Sequence, residues 1–156
     1  MARDPTMQQV LQQFRLIVHS IKRHYRSIEA KSGVGGAQLW ALSVIVTRPG
    51  ITVTGLAMRL ALHQSTASNL VNRLCELEFV SKERGGPDQR VVQLHPTAKG
   101  RRVLRTAPRP VIGLLQQALM SLPQSRLAAL NRELDEVIRR MPRRQARAKA
   151  VPLSEL

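Results

Sequence analysis

The chain has 156 residues and carries 25 Lys and Arg against 10 Asp and Glu, a formal charge of +15. That length is about one domain and can bury a core unaided, while a single cysteine, Cys75, excludes an intramolecular disulfide, a Cys-rich zinc site and a C-x-x-C redox pair. The basic excess points to a polyanionic partner, nucleic acid ahead of an anionic membrane, and an aromatic content of 3% argues against stacking single-strand binders, leaving duplex DNA.

In chain order, Val10, Leu11, Phe14, Ile17, Val18, Ile21 and Ile28 have the spacing of one long amphipathic helix over Met7 to Ala30. Gly33, Gly35 and Gly36 stop it. A second helix over Ala37 to Thr47 carries Leu39, Leu42 and Ile45 and ends before the turn at Pro49-Gly50. Thr52 is placed to cap a short third helix, whose Val53, Leu56, Ala57 and Leu60 make a single buried face. After Ala61-Leu62-His63 a fourth helix is predicted from Gln64 to Leu77. Its Ala67, Leu70, Val71, Leu74 and Leu77 fall on one side; Ser65, Ser68, Asn69, Asn72 and Arg73 gather on the other. Those are short hydrogen-bonding side chains plus an arginine, unlike the Lys and Glu mixture of an ordinary solvated face.

Phe79 to Glu83 and Val91 to Leu94 read as two strands of a hairpin about Gly85-Gly86-Pro87-Asp88. Thr97 can cap a helix starting near Ala98. Val103, Leu104, Val111, Ile112, Leu115 and Leu119 continue the apolar pattern, with a kink or break expected at Pro108 and Pro110. Leu127, Leu130, Leu134 and Ile138 mark a last helix over Gln124 to Met141. Beyond it Arg143, Arg144, Arg147 and Lys149 suggest a mobile basic tail. The longest apolar run, Leu39 to Val46, is far short of the roughly 20 residues of a membrane span, and the N-terminus MARDPTMQQ lacks a signal-peptide core, so a soluble, cytoplasmic protein with no membrane partner is expected.

Helix, short turn, helix and two-stranded ribbon is the order of a winged helix-turn-helix. A helix fits the major groove, where Ser, Asn and Arg address base edges, and an arginine-tipped ribbon can enter the minor groove. The stretch from Pro49 to Leu104 resembles the MarR (multiple antibiotic resistance regulator) family. It has the wing's Asp-x-Arg as Asp88-Gln89-Arg90, and the Thr-x-x-Gly that opens the next helix as Thr97-Ala98-Lys99-Gly100.

The resemblance implies a mainly α fold with a small two- or three-stranded β wing. It divides the chain into a helical dimerisation region at residues 1–36 and 98–142, a DNA-binding domain at 37–97 and the basic tail at 143–156. It also implies a homodimeric regulator, more often a repressor, whose two winged domains straddle a palindromic duplex operator. DNA contacts fall to Gln64, Ser65, Thr66, Ser68, Asn69, Asn72, Arg73 and Arg84. Arg90 enters the minor groove, and Asp88 pairs with a recognition-helix arginine, for which Arg73 is the candidate. The family binds small aromatic acids or phenols, and His19, Arg23, Tyr25 and Trp40 are the residues that could line such a cleft. Three positions depart from the pattern. Pro96 should end the second wing strand by Leu94 or His95, because proline cannot donate to a ladder; His63 replaces the usual Ser or Asp cap, and Ala61 the usual turn glycine.

No nucleophile, base and orienting acid stand at suggestive spacing and no glycine-rich phosphate loop follows a strand, so no enzyme and no cofactor are expected. His19 and His24 lie about 140° apart around a helix, which does not suit two ligands on one face; with His63 and His95 they are read as structural or surface residues, and no metal is assigned. Cys75, beside Glu76 and Glu78, reads as an inert, half-buried thiol. The alternative from another class is a weakly specific architectural DNA-binding protein, which the charge and the tail would also suit.

Overall fold

A computed structural model of the chain describes residues 4–85, 91–141 and Pro152. Helix α1 runs over Pro5–Ser32, where Asp4 accepts the Thr6 N–H at 2.9 Å and Pro5 occupies a first turn that has no use for its missing donor. It ends at Gly33, which takes a left-handed φ of 68° and returns its N–H to Glu29 O. Helix α2, Gly36–Thr47, starts so close to α1 that a Cβ on Gly36 would overlap the Tyr25 ring.

Next come β1 (Ile51–Thr52), α3 (Val53–Leu60), α4 (Gln64–Glu76), β2 (Val80–Arg84) and β3 (Val92–Pro96), with the strands in the antiparallel order β1-β3-β2. Thr52 caps α3 as expected, its hydroxyl accepting the Gly55 N–H at 3.1 Å. The core lies where α2, α3 and α4 meet the sheet. Leu39, Leu42, Ile45, Leu56, Val71, Leu74 and Leu94 are there sealed completely from solvent. Each such Leu or Ile is worth about 1.5–3 kcal/mol of burial, so this unit holds most of the hydrophobic stabilisation.

The second wing strand corrects an expectation: it continues to Pro96, opposite Val80. Thr97 N–H bonds Phe79 O at 3.0 Å, so that pair is hydrogen-bonded and its neighbour, Val80 with Pro96, is of the non-bonded kind. The proline nitrogen therefore points away from β2. On that other side β1 pairs only as far as Leu94, so no donor is wanted.

Helices α5 (Ala98–Thr106) and α6 (Leu114–Met120) are separated at Pro108 and Pro110, and α7 spans Gln124–Arg140. Thr97 caps α5 by accepting the Gly100 N–H at 3.0 Å and donates its own hydroxyl proton to Glu78 O at 2.7 Å. A Cβ on Gly100 would overlap the Phe79 carbonyl oxygen, which explains the glycine of the Thr-x-x-Gly motif. Helix α7 buries no residue, and α1 buries only Ile28. Among the described residues, every large apolar side chain left exposed, apart from Met58 and Val91, lies on α1 or between Leu114 and Met141. No helix among the described residues is long and apolar enough to cross a membrane.

Candidate nucleic-acid interface

Helix α4 carries the candidate site. Its Ala67, Leu70, Val71 and Leu74 are buried; Leu77, predicted to extend this face, caps the helix and is only half-buried. Gln64, Ser65, Asn69, Asn72 and Arg73 are exposed on the far side, with Ser68 and Thr66 half-covered. The segregation follows from the sequence period, so one face drives docking while the other stays free to hydrogen-bond. His63 supplies no side-chain cap, and Ala61 reaches the turn geometry by adopting the left-handed region itself, at φ 52°. The helix-turn-helix bend is thus kept with local strain.

Along the solvent face two polar contacts set how side chains are presented. Arg73 donates to Glu76 Oε2 at 2.9 Å, one turn on in the same helix. Both side chains are more than half exposed, so this pair is readily exchanged for another partner. Asn72 accepts a hydrogen bond at 2.7 Å from Lys82 of β2, which joins the helix to the ribbon.

Lys82 was not among the residues singled out in the sequence. Its signal lies in the strand's alternation: Val80 faces the core, so Lys82 leaves the sheet on that same face, opposite Leu94, and its stem runs toward α4. Arg84, two residues further, shares that face and is exposed near the ribbon's tip. Asp88 and Arg90 lie outside the described residues, as does the expected pairing of Asp88 with Arg73. All of the basic tail but Pro152 does too.

The four residues expected to line a ligand cleft divide among three places. His19 and Arg23 line an open depression of about 370 Å³ with Ser20, His24, Ser27 and Leu114. Tyr25 lines another, of about 290 Å³, whose wall includes Glu29, Gln38 and Arg73. Trp40 packs against the core. Burial pushes the Tyr25 hydroxyl pKa up, with a hydrogen bond to Gln116 pulling it partly back. His24 Nε2 lies 2.9 Å from Pro110 O and must donate, since a carbonyl only accepts. Cys75 is half-buried, and burial raises its pKa while Lys82 opposes the shift.

Comparison with known proteins gives a consistent result. The profile of the MarR family matches residues 32–91. The HTH-type transcriptional regulator TtmR of Methylorubrum extorquens (strain PA1) is 34% identical over 83 residues, which is 53% of this chain and 43% of that protein. The chain thus matches less than half the length of that relative. Among solved structures, a MepR-like protein complexed with pseudoligands superposes with a TM-score of 0.61 at 18% identity, covering 86% of this chain and 94% of the other. Streptococcus pneumoniae FabT in complex with DNA gives 0.58 at 18%, covering 85% and 95%. Wild-type MarR (apo form) from E. coli gives 0.54 at 18%, covering 81% and 94%. At such identities the structural likeness speaks for the fold, a winged helix framed by long terminal helices.

Proposed function

We propose that this chain is a member of the MarR family and a sequence-specific duplex-DNA-binding transcriptional regulator that works as a homodimer inside the cell. The observation that carries the reading is α4: a helix with a sealed apolar face and an opposite stripe of Ser65, Asn69, Asn72 and Arg73, flanked by an arginine-bearing ribbon. Those side chains offer the donors and acceptors that base edges require. Arg84 and the chain's excess positive charge supply phosphate contacts, which add affinity without sequence information.

The homodimer is supported by what the single chain leaves uncovered. A 17-residue helix without one fully buried residue draws little packing energy from its own chain, and helices in water depend on such packing. Met7, Val10, Leu11, Phe14, Ile17 and Val18 fall within about 120° of the α1 surface and are all exposed. A second copy would cover both faces and set two α4 helices for a palindromic operator with half-sites about one helical turn apart. Repression then follows from occupying that operator. A small aromatic acid or phenol in the Tyr25 depression would sit against Arg73 of α4, and by favouring one spacing of the two lobes it would shift DNA affinity.

The deciding experiment is a titration of the full chain against its own upstream DNA with random duplex as competitor. A regulator prefers its operator by ~10³ or more. Equal affinity for both would sink this reading and leave the weakly specific architectural protein that the +15 charge also suits.

A further inference from the structure

We infer that Lys82 determines base specificity by turning Asn72 into part of a donor-only reading head, an inference that rests on the proposed duplex-DNA function. Lysine carries three N–H donors and no acceptor, so the group it holds at 2.7 Å is the Asn72 carbonyl oxygen, Oδ1. The Asn72 amide is thereby fixed in one of its two orientations, with its N–H2 aimed away from Lys82. Both side chains are exposed, and Asn72 continues the stripe that Ser65 and Asn69 begin on α4.

A free asparagine reads adenine with two bonds, its oxygen accepting from the N6 amino group and its N–H donating to N7. Here an adenine amino group approaching Oδ1 would have to share that oxygen with the Lys82 ammonium, which takes one of its two lone pairs and sets a full positive charge beside the incoming donor. A guanine edge offers the opposite chemistry. Its N7 and O6 are both acceptors, and the Asn72 N–H2 and the Lys82 ammonium form an adjoining pair of donors for them. The pairing depends on strand phase: Lys82 stands opposite Leu94 and so projects on the helix side of the sheet, a placement that Ser81 or Glu83 could not share.

The test is selection of bound duplexes from a randomised pool by the full-length chain and by Asn72→Ala, Lys82→Met and Lys82→Arg, each checked for wild-type helicity and melting. Asn72→Ala identifies the base position that Asn72 reads by erasing its preference. At that position the wild type should favour guanine over adenine. Lys82→Met should move the preference toward adenine by ~5-fold or more, the range of one good bidentate contact, and Lys82→Arg should hold guanine. Should Lys82→Met weaken binding equally for all sequences, Lys82 is a phosphate contact and the inference fails. It fails also if Asn72→Ala leaves every preference intact. A wild-type profile without any preference would overturn the regulator reading itself, which distinguishes that failure from this one.

Discussion

Ala61 and Gly100 are two small residues whose backbones answer opposite demands. Ala61 sits at φ 52° in the turn between α3 and α4, where an L residue costs roughly 1–2 kcal/mol that glycine does not. Glycine gives back about 0.5–1 kcal/mol through the greater freedom of the unfolded chain. The strain relieved exceeds the entropy lost, so Ala61→Gly should stabilise by about 0.5–1 kcal/mol, measured as a rise in melting temperature. Gly100 has an ordinary helical place in α5, where alanine would gain about 1 kcal/mol in propensity. There the Cβ would overlap the Phe79 carbonyl, a backbone atom held by Thr97, and overlap outweighs propensity. Gly100→Ala should therefore lower stability by about 1–3 kcal/mol in the same melting experiment. A destabilising Ala61→Gly would undo the first assignment, and a stabilising Gly100→Ala the second.

At the scale of elements, what could be read from the sequence was what short-range physics decides. Thr52 and Thr97 announce their helices because a cap acts over three residues, and both hydroxyls do accept the third following N–H. The two faces of α4 separate because a 3.6-residue period is local as well. The phase of a β ladder is not local. Whether Pro96 breaks β3 depends on which pairs opposite β2 are hydrogen-bonded, and that is set by Thr97 and Phe79. The bond from Lys82 to Asn72 needs the same register, and the separation of Trp40 from His19 and Arg23 needs the packing of α2 against the core.

The terminal helices offer a prediction at this same scale. In a lone chain Phe14 is an exposed residue of a polar-flanked helix, and its replacement by Glu would change stability by less than about 0.5 kcal/mol. Buried between two copies, the carboxylate would lose its solvent shell without a partner. Phe14→Glu is expected to weaken self-association by at least about tenfold, which is about 1.4 kcal/mol, in sedimentation equilibrium. An unchanged dimer would move the interface away from α1.

For the whole molecule, the proposed function raises the question of how charge would divide between holding DNA and reading it. Arg143, Arg144, Arg147 and Lys149 stand beyond α7, whereas the polar stripe of α4 and the residues around Lys82 lie on the winged helix. If the tail meets phosphates, each contact releases counterions and steepens the fall of affinity with salt by about 0.9 in the log–log slope. A chain ending at Met141 should then bind its operator more weakly at low salt and with a shallower slope, while its ranking of operator variants stays the same. The two quantities come from one set of titrations at several salt concentrations, on intact and altered operators. A steep slope that survives truncation would place the phosphate contacts on the winged helix, with Arg84 as the first residue to test. A changed ranking would mean that the tail reads bases, and the division of labour would have to be redrawn around a second recognition segment.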